Sequence, residues 1–119
     1  MDIYAENILD HYKHPRNFGT IKGASINHCE ANYVCGDKLE LDIQMEKDKI
    51  KDLKFRGTGC AISQATMSII SEQVIGKTKK QILALKFNDV QKIVGVPISE
   101  RRLKCAILGL MTLQNALKK

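Results

Sequence analysis

Three cysteines stand in settings that favour an ionised thiol. Cys60 follows Arg56-Gly57-Thr58-Gly59, where a strand-like run ends and a helix-like run begins. A helix start leaves N–H groups unpaired and carries partial positive charge, so a thiol placed there is stabilised as the thiolate and becomes a candidate metal or sulfide ligand. A tight strand-to-helix corner with no chemistry would use the same Gly-x-Gly spacing. Cys35 opens Cys35-Gly36-Asp37 just before an alternating run, and the glycine lets the backbone turn so that thiolate and carboxylate can converge. Cys105 lies near the start of the last helical stretch, roughly 130° around from the centre of its apolar stripe, which favours a ligand or reactive thiol over a core residue. Leu108 and Met111 make that helix apolar on more than one side and keep a packing role for Cys105 open. Lys104, Arg101 and Arg102 either lower the Cys105 pKa or form a solvated basic face. Three thiolates and the Asp37 carboxylate would suit zinc or iron. Cys29 stands outside this set, as a buried small residue or a redox partner of Cys35. His11 and His28 are expected to be packing or surface residues.

The elements that must position these groups are legible from periodicity. Ile3, Tyr4, Ile8 and His11 predict a short helix over 3–12 that stops before Pro15. A first strand is predicted over 24–30, after the turn formers of His14-Pro15-Arg16-Asn17-Phe18-Gly19 and after Gly23. Lys38 to Glu46 alternates strictly, which places Leu39, Leu41, Ile43 and Met45 on one face of a strand. Leu53 and Phe55 continue it as the return arm of an antiparallel hairpin. From Ala61 the period becomes helical through Val74, and Gly76 stops the run. Two short helices follow, over 78–85 and 87–94, with Thr78 and Asn88 as capping residues. Ser99 caps a final helix whose stripe is Leu103, Ala106, Ile107, Leu110, Leu113 and Leu117. A loop entering a hairpin, the corner after it and the first turns of the last helix can then share one end of a sheet.

With 119 residues and 44% hydrophobic content, residues 1–119 suit a single domain with one core. No secretory leader and no run of 18 apolar residues is present, so neither export nor membrane insertion is expected, and four cysteines read as reduced thiols in the cytoplasm. The charge of +6 is carried by dispersed lysines, with no tryptophan and only three Tyr and three Phe, which argues against nucleic-acid binding.

Taken together, Asp10-His11-Tyr12 with Pro15-Arg16-Asn17 and Gly19, Asn32 with Cys35-Gly36-Asp37, Gly57-Thr58-Gly59-Cys60-Ala61-Ile62-Ser63 with Ala65-Thr66, and Lys104-Cys105-Ala106 resemble one family over nearly the whole chain. It is that of the iron-sulfur cluster assembly scaffolds, IscU, SufU and the N-terminal domain of NifU. The resemblance implies an α+β fold of the SufE/NifU-like kind, a small three-stranded antiparallel sheet packed against helices. It implies Cys35, Cys60 and Cys105 as cluster-binding cysteines, with Asp37 ligating directly or governing release. It also implies a scaffold or carrier and not an enzyme: a cysteine desulfurase supplies sulfur, iron joins, and a labile 2Fe-2S cluster is assembled and passed to apo-proteins.

The departures carry information too. In the IscU branch a histidine precedes the last cysteine and a Leu-Pro-Pro-Val-Lys segment is read by a dedicated Hsp70-type chaperone; here Lys104 precedes Cys105 and residues 97–103 read Pro-Ile-Ser-Glu-Arg-Arg-Leu. An ammonium cannot ligate, so Asp37 becomes the better fourth ligand, and the chaperone is not expected as a partner. Lys-Cys resembles SufU, yet the insertion that SufU proteins carry between the second and third cysteines is missing. The alternative function is therefore a zinc-dependent sulfurtransferase, in which zinc holds the same side chains; a third, a structural zinc domain, would unfold without its cysteines. Whether one chain or a homodimer holds the cluster is open at this stage.

Overall fold

The computed structural model describes the backbone of residues 3–32, 37–59, 61–94 and 100–118, and within these all side chains except those of 3–5, 32, 37, 61–62, 87, 94 and 100–106. Helix α1 (Ile3–Lys13) precedes three strands, β1 (Ile26–Asn32), β2 (Asp37–Glu46) and β3 (Lys49–Thr58). Four helices follow: α2 (Ala61–Val74), α3 (Lys79–Leu83), α4 (Phe87–Val94) and α5 (Glu100–Leu117). The strands form one antiparallel sheet in the order β1-β2-β3, as the sequence resemblance implied.

Alternation along β2 fixes which side of the sheet is covered. Leu39, Leu41 and Ile43 are buried, each opposite a β3 residue of the same face: Gly57, Phe55 and Leu53. Against them pack Met67, Ile70 and Val74 of α2 and Leu108, Leu113 and Leu117 of α5. Each such fully buried side chain contributes about 1.5–3 kcal/mol of apolar transfer, so the sheet face and these two helices hold the fold. Among the described residues no helix is long and apolar enough to cross a membrane.

Several expectations shift. The first strand begins at Ile26, two residues late, because Ser25 is diverted to accept the Met45 N–H with its hydroxyl. Thr78 does cap α3, with Gln81 reaching back in a reciprocal box. Asn88 does not cap α4; it lies inside the helix, and the Asp89 carboxylate accepts the Lys86 N–H instead. On α5 the apolar stripe is one edge of a wider buried arc that includes Gly109, Thr112 and Ala116. These small residues let α5 approach α2 closely, as the short space between Gly109 and Met67 shows. The side of α5 that carries Leu108, Gly109 and Thr112 is therefore covered, while the expectation for Cys105 itself concerns a side chain outside the described residues.

The Asp10-His11-Tyr12 and Pro15-Arg16-Asn17 segments fasten α1 to α2. Ser68 Oγ, fully buried, accepts the Arg16 N–H at 2.8 Å and lies 2.8 Å from His11 Nδ1. Both contacts are satisfied when the Ser68 hydroxyl donates to Nδ1 and the protonated Nε2 faces the Glu72 carboxylate, 3.6 Å away. Asn17 donates to Ser71 Oγ, and Arg16 pairs with Asp10 at 2.6 Å. Burial pushes the His11 pKa down, helped by Arg16 and opposed by Glu72 and Asp10. The unfolded chain takes up its proton near pH 6.5 while the folded ring resists, so this contribution to stability is complete above that pH and is lost as pH falls below it toward the folded value. The melting temperature is expected to fall between pH 7.5 and 5.5, and less so in His11→Gln; equal slopes in the two proteins would remove His11 from the account.

Candidate functional site

Two strand ends and two helices meet where the cysteines are anchored. Asn32, the last residue of β1, pairs with Asp37, the first of β2, and Lys38 pairs with Thr58 near the end of β3. The segment 33–36 that carries Cys35 and the single residue Cys60 between Thr58-Gly59 and α2 are thus bounded by residues at one end of the sheet. A narrow crevice of about 10 Å³ joins this end to both long helices. Its walls include Lys38 from β2, Thr58 from β3, Ser63 and Gln64 from the first turn of α2, and Leu108 and Gly109 from α5. Leu108 stands three residues after Cys105, about one turn along α5, and Ser63 stands three residues after Cys60 in sequence.

The structure places the predicted residues as follows. Cys35, Gly36 and Cys60 lie outside the described residues, as does 95–99 with the proposed Ser99 cap. Asp37 is described in its backbone, as the start of β2, and Lys104 and Cys105 in theirs, in the early turns of α5; the side chains of these three, and of Arg101 and Arg102, lie outside the described set. Among the described residues no three His, Cys, Asp or Glu side chains gather closely enough to hold a metal. A depression of about 590 Å³ lies at the opposite end, around the hairpin turn Lys47-Asp48 with Lys49 and Thr78, and no thiol lines it.

Cys29 is not the buried residue expected. It is a free, exposed thiol on the outer face of β1, because the neighbours at 28 and 30 take the covered face. There the His28 ring lies 3.0 Å from the Glu30 carboxylate, which accepts both contacts from Asn115 of α5 at 2.9 Å. His11 is the packing residue anticipated.

Two residues at this end of the sheet stand differently from their sequence reading: Gly57 reads there as part of a Gly-x-Gly corner, and Gln64 carries no reading at all. Gly57 is not a turn glycine but sits inside β3 opposite Leu39, where a Cβ would overlap the Lys38 carbonyl oxygen. Gln64 donates from Nε2 to the Gly59 carbonyl at 3.3 Å, closing the corner before α2. A Gly between Arg56 and Thr58 in an alternating run was the only signal for the first, and three-residue periodicity hid the second.

Comparison with known proteins gives the same assignment throughout. The family described as NifU-like N terminal domain matches residues 3–119. The iron-sulfur cluster assembly scaffold protein IscU of Streptococcus pyogenes is 31% identical, covering 98% of this chain and 84% of its own. The zinc-dependent sulfurtransferase SufU of Bacillus subtilis is 29% identical, over 98% of this chain and 90% of its own. The solved structure of the SUF-system protein FiSufU from Fervidobacterium islandicum AW-1 superimposes with a TM-score of 0.81 at 34% identity over 94% of each chain. With strand order, element order and sequence match in agreement from α1 to α5, the chain belongs to the NifU-like N terminal domain family.

Proposed function

We propose that this protein is a scaffold on which an iron-sulfur cluster is assembled and from which it is passed to apo-proteins, with Cys35, Cys60, Cys105 and Asp37 as the holding residues. The observation that carries the reading is the crevice at one sheet end, where the described neighbours of all four residues come together. The cluster is cargo. Thiolates bind iron firmly, and a carboxylate is a harder, weaker partner, so a set of three thiolates and Asp37 holds a 2Fe-2S cluster loosely enough to release it. Sulfur comes from a cysteine desulfurase as persulfide, whose outer sulfur takes two electrons from a thiol reductant to become cluster sulfide; this requires reduced thiols and fits the cytoplasm. Lys104 supplies positive charge against the thiolates and takes no ligand position.

A zinc-dependent sulfurtransferase is the second reading, supported by Lys104 in the place of a histidine ligand and by the similarity to SufU of Bacillus subtilis. The alignments to the SufU of Bacillus subtilis and to the IscU of Streptococcus pyogenes both run over 134 positions against the 119 residues here, so both relatives carry residues without a counterpart and alignment length does not separate the two readings. Anaerobic reconstitution with iron, a desulfurase and cysteine decides between them. The scaffold gives a coloured protein with stoichiometric iron and sulfide that is bleached by an apo-acceptor. A colourless product that keeps one zinc and accumulates persulfide overturns it. Serine at position 35, 60 or 105 is expected to abolish cluster loading while leaving the far-ultraviolet circular dichroism and cooperative unfolding in place; unfolding of these variants would instead mark a structural metal.

A further inference from the structure

The two edges of the sheet are treated differently by the chain. Along β3 the edge is covered at both ends by backbone: Gly19 N–H donates to the Phe55 carbonyl and Phe55 N–H to the Asn17 carbonyl, both at 2.9 Å. Toward the hairpin, Gly76 N–H donates to the Ile50 carbonyl and Ile50 N–H to the Lys77 carbonyl. Among the described residues nothing pairs in this way with the outer edge of β1. Sheet proteins blunt a free edge with lysine, proline, inward-pointing charges, a bulge or a very short strand, and the inward-facing acid of β1, Glu30, is already engaged within its own chain by His28 and Asn115. Ile26-Asn27-His28-Cys29-Glu30-Ala31-Asn32 has neither lysine nor proline and runs for seven residues, and the register irregularity falls between Gln44 and Met45, away from β1.

We propose that β1 pairs antiparallel with β1 of a second copy of this chain, in the register centred on Cys29. That residue is the middle of the strand, so this register pairs every residue. It sets His28 opposite Glu30 of the partner subunit and, by symmetry, Glu30 opposite His28 of the partner subunit. This register sets an acid opposite an imidazole and places no like charges face to face. The neighbouring registers are poorer: centring on 28 opposes two histidines, and centring on 30 opposes two carboxylates. Ile26 meets Asn32 of the partner subunit and Asn27 meets Ala31 of the partner subunit, with no like charges opposed. Helix α5 rests over both β1 and β2. With strands about 4.8 Å apart, a helix axis midway between β1 and β2 would lie about 9–10 Å from its symmetry mate, an ordinary distance between packed helices. The dyad runs normal to the sheet, keeps both helical layers on one side, and leaves the two candidate sites at opposite ends of a six-stranded sheet.

This pairing is independent of what the site binds, so it is tested on reduced, chelator-treated protein. Equilibrium sedimentation is expected to show a dimer that dissociates on dilution. Cys29→Ser keeps it; Cys29→Lys, at an exposed position, opposes two ammonium groups at the dyad and weakens association at least about fivefold, part of the loss returning at high salt. Opposed Cα atoms about 4.5–5.5 Å apart also fall within reach of a disulfide. Added diamide, taking two electrons and two protons from the thiols, is therefore expected to link Cys29 to its counterpart, as read by chymotryptic mapping that cuts at Tyr33. A monomer at every concentration up to about 1 mM, a Cys29→Lys dimer as tight as the unaltered one, or an oxidised dimer without the Cys29 link overturns the proposal.

Discussion

Arg56→Met is expected to lower the unfolding free energy by about 2–3 kcal/mol, more than any other single exchange on the outer face of the sheet. The reason is Asp42, whose side chain is only 7% exposed although it projects from the solvent side of an alternating strand. The segment after Asn17 covers it: Ile21 N–H donates to Asp42 Oδ2 at 3.0 Å, Asn27 Nδ2 to Oδ1 at 2.7 Å, and Arg56 Nη1 to Oδ2 at 3.0 Å while also reaching the Gly19 carbonyl. Burial alone would push the Asp42 pKa up, but Asn27, the Ile21 N–H and Arg56 together hold it below the usual carboxylate value. Removing the cation strands a covered carboxylate. Breaking a buried pair costs about 3–5 kcal/mol, reduced here because the guanidinium is partly exposed. Arg56 also pairs with Glu40 at 2.8 Å, but that carboxylate is 34% exposed, and Glu40→Ala is expected to cost much less than Arg56→Met.

The pH dependence separates charge from packing. In the native protein the depressed Asp42 pKa contributes stability that is present above the unfolded value near 4 and is lost as pH falls through the folded one. In Arg56→Met the carboxyl is left with burial and two neutral donors, so its pKa rises and it protonates earlier on acidification. The difference between the two proteins, measured by denaturant unfolding, should therefore shrink from pH 7 to pH 4. A difference that stays constant would assign the loss to the apolar stem of Arg56 lying on the sheet.

Asp42 also shows why some of the fold was legible and some was not. The strict alternation from Lys38 to Glu46 located β2 and its covered face, because a half-buried strand admits one pattern only. That alternation cannot tell a polar position in water from one covered by a distant loop, so Asp42 looked like its solvated neighbours. The same blindness affected β1: His28 and Glu30 are polar, yet they face α5, where His28 Nε2 meets the Glu30 carboxylate and that carboxylate accepts from Asn115, and Cys29 is thereby turned outward. On α5 the apolar stripe was visible but its true centre was not, since Gly109, Thr112 and Ala116 are buried for being small. Cysteine spacing suggested the candidate site, and strand pairing accounts for the convergence of the described residues that flank Cys35 and Cys60; neither periodicity nor composition encodes the depth of a helix-to-helix approach.

Gly57→Ala and Gly109→Ala offer the sharpest comparison, because the added methyl is the same and what it meets is not. At Gly109 the new Cβ would lie 3.1 Å from Met67 Sδ, the end of a flexible side chain that can move aside, and the expected cost is under about 1 kcal/mol. At Gly57 it would overlap the Lys38 carbonyl oxygen and lie 3.1 Å from Leu39 Cα, both backbone. Backbone cannot rotate away, so β2 and β3 must part at this end, and about 2–3 kcal/mol is expected. The damage should be local, with faster amide exchange at Lys38 and Thr58 while the β2–β3 pairs near Ile43 and Leu53 stay protected. Asp37 precedes Lys38 and Cys60 follows Gly59, so a displacement here moves both sides of the proposed holding set, and zinc or iron affinity should fall further in Gly57→Ala than stability alone explains. Equal costs at the two glycines would show that the strands tolerate the methyl, and that Gly57 serves the site in no special way.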